Sequence, residues 1–297
     1  MARRKIVDAH HHLWDLGRGY NYPWLQDRPL GEGLLGNIGP IAVDFGVADY
    51  RKDSARYEVV KSVHIEAVPQ DAVEETRWLQ GVAETDGLPH AIVARVELQK
   101  PDAEARIAEH RRYRNLRGIR HIVNWHANPK WTFNDRDFLQ DDAWRNGFAL
   151  LKKYDLSFDL QLYPAQMMEA ARLARRHPET LIVLDHTGMP VERDADGIAA
   201  WRSGMQALAG CDNVVAKISG LGMVEWRWTE LSIRPFVLET IDFFGVDRCM
   251  FGSNFPVDRL YSSFDGLYGA FEKIVAGFSE AEKTRLFHDN AIRVYRI

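Results

Sequence analysis

The feature that most constrains this chain is an alternation kept up from end to end. Short apolar, β-branched runs are separated by longer stretches with apolar residues at helical spacing. The runs fall near residues 6–14, 60–68, 90–98, 116–124, 157–163, 180–188, 214–221 and 249–257, and amphipathic stretches cover 71–86, 101–114, 137–153, 165–177, 197–209 and 232–245. Strands that alternate with helices run parallel and are joined by right-handed crossovers. Eight such units suit a closed barrel, which occupies about 250 residues as one unit. The expectation is therefore an α/β chain folded as one (β/α)8 TIM barrel, a single domain over residues 1–297 with a long loop after strand one. The alternative is an open doubly wound sheet. Against it, no glycine-rich phosphate loop follows the first run, whereas a His cluster does.

Composition narrows the class of ligand. With 38 basic and 42 acidic residues dispersed along the chain and a net charge of −4, there is no electrostatic footprint for nucleic acid. No window approaches the roughly 20 apolar residues of a membrane span, and the Met-Ala-Arg-Arg-Lys start is not followed by the apolar stretch of a secretory signal. Cys211 and Cys249 are too few for a disulfide framework or a Cys-based metal site. A cytoplasmic protein acting on a small molecule is expected, without nucleic-acid or membrane partners. The aromatic segment FDGLYGAF at 264–271 either packs on the barrel or offers a contact for a homo-oligomer.

The segment from Asp15 to about Ala55 is too long for a simple turn, and long loops in compact domains are usually functional or disordered. Its Tyr20, Tyr22 and Trp24 argue for a packed lid over the strand ends, with a purely structural plug as the other reading.

Polar residues collect at the C-terminal ends of the runs, where barrel enzymes build their sites. Strand one ends VDAHHHLW, and the two-residue period puts His10 and His12 on one face and His11 on the other, with Asp8 two residues earlier. Strand two places His64 and Glu66 together; strand four offers Arg120 and Asn124 on one face, His121 on the other, and then Trp125. A Glu66–Arg120 ion pair would offset the cost of burying either charge, or Arg120 would orient a substrate carboxylate or carbonyl. Strand six supplies Asp185 and His186, strand seven Lys217 and Ser219, and strand eight Asn254, with Asp258 just beyond. Lys217 either neutralises a carboxylate at the barrel mouth or touches substrate.

The motifs DAHHHLW, EETRWLQ, GIRHIVNWH, LDHTGMP, KISGL and MFGSNFPVD, in that order and spread over almost the whole chain, resemble the amidohydrolase-related group (amidohydrolase 2) that contains sugar-lactone and pyrone-dicarboxylate lactonases. The resemblance implies a hydrolase that opens a small polar lactone by water attack, a sugar 1,4- or 1,5-lactone before an aromatic diacid, with a place in carbohydrate catabolism. It makes His10, His12, His186, Asn254 and Glu66 the candidate catalytic residues. His64, Arg120, Asn124, Trp125, Lys217, Tyr20, Trp24 and Asp258 are then the candidates for substrate binding.

One departure matters. Many relatives carry Asp where this chain has Asn254, and an amide cannot be a general base. Glu66 or Asp258 then acts as base, or a His does while Asn254 positions water, or the chain is a non-catalytic sugar-acid binding relative. His10, His12 and His186 could hold one weakly bound zinc, but the expected anionic ligand is missing and strand five, SFDLQLYP, lacks the His of binuclear relatives. The expectation leans to a reaction that requires no metal. A zinc-dependent decarboxylase of a small carboxylic acid is the alternative enzyme.

Overall fold

The computed structural model describes residues 3–19, 21–30 and 33–297. Eight parallel strands follow one another around a single sheet in sequence order: β1 (Lys5–His11), β2 (Glu58–Ile65), β3 (Ala91–Arg95), β4 (Leu116–Arg120), β5 (Ser157–Leu160), β6 (Ile182–Leu184), β7 (Val214–Ile218) and β8 (Cys249–Phe251). The ring closes just past the strand ends. Asn254 N–H donates to the His10 carbonyl and His12 N–H to the Phe255 carbonyl, each at 2.7 Å. Below that seam, Asp8 accepts from the Ser253 amide and hydroxyl and from Tyr50. The chain is a (β/α)8 TIM barrel.

Helices return the chain from each strand to the next, and their ends are where local chemistry requires them. The helix Ala72–Asp86 starts at Asp71, whose carboxylate accepts from the Val73 and Glu74 amides, and stops at Gly87 with φ of 78°. Such an N-cap is worth about 1 kcal/mol, and a glycine adopts the left-handed stop without a Cβ penalty. The aromatic stretch near 264–271 is the start of the helix Phe264–Ile274, and it buries Phe264, Leu267, Tyr268, Ala270, Phe271 and Ile274 against the barrel.

Two core layers result. One lies between strands and helices; the other fills the barrel with Val7, Val63, Val93, Val183, Val215 and Met250. The C-terminal helix Asn290–Tyr295 completes the inner layer with Ala291, Val294 and Tyr295. The long segment after β1 packs as a cover. Trp14 Nε1–H donates to Val43, Trp24 Nε1–H to Ala67, and Tyr22 is fully buried with its hydroxyl on Glu75. No helix among the described residues is long and apolar enough to cross a membrane.

The strands end three to six residues earlier than the apolar runs suggest. His12, Glu66, Asn124, Gln161, His186 and Asn254 all follow their strand's last paired residue. Those positions lie past the strands' paired residues, although His12, Glu66 and Asn254 still donate backbone bonds to a neighbouring strand or its end. Two of them are held in left-handed conformation, with φ of 54° at His186 and 56° at Asn254, as is Thr187 next to His186 at 56°. For residues with a Cβ this costs on the order of 1–3 kcal/mol, and it recurs where a site demands a particular aim.

Candidate active site

A cavity of roughly 210 Å³ opens at the C-terminal ends of the strands. This is below the ~300 Å³ at which drug-sized pockets begin, so it suits one small ring. His12, His186 and Asn254 share its lining with Trp24, Arg120, His121, Gln161 and Arg95, and Leu35, Ile122, Phe133, Met223 and Val257 supply apolar walls. No acidic side chain lines it among the described residues.

The three imidazoles of the mouth are held by different bonds. His12 Nδ1 lies 2.8 Å from the Ile65 carbonyl, which can only accept, so the proton is on Nδ1 and Nε2 carries the lone pair. His186 Nδ1 bonds Ser219 Oγ at 3.0 Å. His10 lies against His186 with ring centroids 4.5 Å apart and the rings tilted by 49°, and it meets His12 edge-on at 5.1 Å. Burial, together with the Arg120 charge, holds His12 well below the ordinary imidazole range; burial also lowers His186, to about 3, and His10. All three are neutral at physiological pH.

Asn254 stands between His12 and a buried carboxyl. Its Oδ1 lies 3.3 Å from His12 Nε2, and its Nδ2 donates to Asp258 Oδ1 at 3.1 Å. Burial pushes Asp258 up to about 7. With the His12 proton on Nδ1, Nε2 and Oδ1 are both acceptors; a half-turn of the amide would give His12 Nε2 a donor and let protonated Asp258 donate to Oδ1, so only the turned amide bonds both groups.

A charged layer lies directly beneath. Lys217, fully buried, donates to Asp159 and sits 3.2 Å from Asp185 and 3.5 Å from His10 Nδ1. Tyr295 donates to Asp159 at 2.8 Å from the barrel interior. Burial opposes ionisation of Asp185, but Lys217 and His10 outweigh it and hold the carboxyl well below its ordinary range. His10, Asp185 and His186 present ligand atoms all within 4.8 Å of one another. Among the described residues His10 Nε2 has no hydrogen-bond partner, and the Asp185 carboxylate makes ion-pair contacts to Lys217 at 3.2 Å and His10 Nδ1 at 3.5 Å. Two neutral imidazoles and one carboxylate make a fitting three-ligand set for one divalent cation. Asp185 would supply to such a cation the anion that Asn254 cannot; His12, the other ligand expected from the sequence, is not part of this cluster.

A family model described as Amidohydrolase matches residues 7–297. The chain belongs to the amidohydrolase family. This amidohydrolase is 45% identical over 300 residues to an uncharacterized protein of Sinorhizobium fredii, the match covering 100% of both chains. It is 32% identical over 303 residues to an L-fucono-1,5-lactonase of Burkholderia ambifaria, covering 98% of this chain and 95% of the relative. Among solved structures, an amidohydrolase from Burkholderia multivorans with bound zinc superposes with a TM-score of 0.82 at 28% identity over 100% of both chains.

The other expected site residues are placed as follows. Trp24 and Arg120 line the cavity with His12, His186 and Asn254. Arg120 is already committed: its Nε donates to Glu66 at 2.6 Å, and further N–H groups bond Gln161 and the Glu66 carbonyl. The other Glu66 oxygen accepts from Val68 N–H, so Glu66 is a partner of Arg120 outside the lining. His10, Lys217 and Asp258 lie behind the wall. His64 packs on His11 and the Leu13 carbonyl, and Asn124 bonds Met189. Trp125 is 39% exposed and outside the cavity. Tyr20 lies outside the described residues. Asp8 does not share the His10 face: a register shift between Asp8 and His11 turns it toward Tyr50 and Tyr268 in the outer layer. Sequence reasoning missed Arg95, Gln161 and Asn134 as lining residues; Arg95 ends β3 and Gln161 follows β5, the same positional signal that found the others, whereas Asn134 lies in the loop well beyond β4.

Proposed function

We propose that this amidohydrolase opens a small polar lactone, a sugar 1,4- or 1,5-lactone, by attack of water on the ring carbonyl. The observation that carries the reading is the convergence of His12 Nε2, His186 and the Asn254 amide on one side of a cavity sized for a single ring. The likeness over the whole chain to an L-fucono-1,5-lactonase supports the choice of a cyclic ester.

His12 accepts the proton of the attacking water on Nε2 while the Asn254 amide orients that water. The water oxygen bonds the carbonyl carbon, and the charge that develops on the carbonyl oxygen faces His186 and Arg120. Collapse breaks the bond from the carbonyl carbon to the ring oxygen. The His12 imidazolium returns its proton to that oxygen, leaving a hydroxy acid. A divalent cation held by His10, Asp185 and His186 would supply Lewis-acid polarisation of the same carbonyl. Preorganised groups facing developing charge are usually the largest catalytic contribution, and a positioned base adds about 10²–10⁴-fold.

The test is proton release over a panel of aldonolactones and pyrone carboxylates, with and without a strong chelator. One lactone should turn over well above its spontaneous rate, and His12→Ala should lower kcat by about 10²–10⁴-fold. Full activity after both His12→Ala and His186→Ala would remove these residues from the reaction. Silence across the panel, with zinc bound stoichiometrically, would move the reading to a decarboxylase.

A further inference from the structure

Across the barrel mouth from His12 and Asn254, where β3 and β4 end side by side, the cavity wall carries two groups that the hydrolytic step does not use. Arg95 closes β3 and pairs in register with Arg120. Arg120 spends its donors on Glu66 and Gln161. Among the described residues the Arg95 side chain makes one hydrogen bond, to the Pro69 carbonyl at 3.2 Å, and a long contact of 3.8 Å to Glu97, a carboxylate 44% exposed to solvent. A guanidinium has five N–H donors in a planar fork, so most of those on Arg95 are uncommitted at the cavity wall.

His121 stands beside it. The Trp144 indole N–H donates to His121 Nδ1 at 2.9 Å. An indole can only donate, so the neutral His121 ring carries its own proton on Nε2 and offers a second donor. The Arg95 charge acts on this ring, which burial keeps neutral with its pKa lowered to about 3. Both residues line the cavity, and no carboxylate lines it among the described residues. Arg95 stands between this cavity and a polar cleft that holds Glu97, and the donors it does not spend on Pro69 and Glu97 are free to receive an anion from a ligand in the cavity. The forked geometry of guanidinium matches a carboxylate.

We propose that Arg95 and His121 form a carboxylate subsite, so that the substrate is a lactone bearing a free carboxylate on the side remote from the ester under attack. The proposal rests on the lactone reading and narrows it from neutral sugar lactones to the lactones of sugar diacids. Ring opening then releases a dicarboxylate, which a step that oxidises a sugar terminus to an acid would have to precede.

The experiment compares matched lactones of one configuration, the aldarolactone with its terminal carboxylate and the aldonolactone with a terminal alcohol. They are assayed on the wild-type chain, Arg95→Gln and Arg95→Lys. The wild type should favour the aldarolactone in kcat/KM by about tenfold or more. Arg95→Gln should lower that value about 10- to 100-fold through KM, leave the aldonolactone within about twofold, and Arg95→Lys should recover part of the loss. Equal use of the two lactones by the wild type, or an equal loss on both in Arg95→Gln, would overturn the subsite and leave the lactone reading standing. If neither lactone turns over, that reading fails and calorimetry with the open-chain acids decides the subsite. Tighter binding of the dicarboxylate than of the monocarboxylate, abolished in Arg95→Gln, supports it; equal affinities overturn it.

Discussion

Gly220 decides whether His186 has room. Its φ is 60°, and a Cβ there would stand 2.4 Å from His186 Nδ1 and 2.7 Å from the Met223 methyl. Gly220→Ala therefore meets both a disfavoured backbone and a ring that is itself held by Ser219. It should cost on the order of 1–3 kcal/mol in denaturant unfolding and lower kcat/KM by more than about tenfold; unchanged values of both would mean that the His186 ring is not held as described. Such a constraint cannot be read from GL in a strand-seven motif. His12, His186 and Asn254, by contrast, were legible as polar residues just beyond apolar runs. The same rule drew in Lys217, Glu66 and His64. In a barrel, polar side chains at strand ends either reach the cavity or build the charged layer below it, and sequence does not give depth. The Asp185 role was hidden for the same reason: its neighbours Lys217 and His10 come from other strands.

The alternation of runs located every barrel strand, and the His cluster in place of a glycine-rich phosphate loop favoured a closed barrel over an open sheet. The strand ends were misjudged because hydrophobic patterning continues into loops that fold over the core. The last turn of the chain, Asn290–Tyr295, was not foreseen as a barrel filler, since six residues carry too little periodicity to show a face. The packed cover after β1 was anticipated from its aromatic residues, and its attachment makes a prediction. Tyr22 of the cover donates to Glu75 on the helix Ala72–Asp86 at 3.1 Å. Burial, with the nearby Glu66 charge, pushes Glu75 up to about 8 from an ordinary 4.5. Below pH 4.5 the carboxyl is protonated whether the chain is folded or not. Between 4.5 and 8 only the folded chain keeps the proton, so stability falls as pH rises, by up to about 1.4 kcal/mol per unit. Glu75→Gln, which mimics the neutral acid, should be more stable than wild type at pH 8 by about 2 kcal/mol or more and equal to it at pH 4 in thermal unfolding. A Gln variant that is destabilised at both pH values would contradict a protonated Glu75.

At the scale of the molecule, the barrel separates two tasks. The strands hold the buried charges of Lys217, Asp159 and Asp185 against one another, while the loops beyond the strands aim neutral imidazoles and an amide at a small cavity. That division explains how Asn254 can replace a carboxylate at the mouth. In the proposed reaction the anion would lie one layer down in Asp185, and the proton acceptor would be His12 beside Asn254. The central claim is that this mouth drives water onto a lactone carbonyl, and isotope incorporation tests it most directly. Turnover of a lactone in ¹⁸O-labelled water, followed by mass spectrometry of the hydroxy acid, should show one labelled oxygen in the new carboxyl, formed at a rate proportional to enzyme and suppressed in His12→Ala. Product formed with the label absent from the carboxyl, or formation no faster than without enzyme, would contradict it.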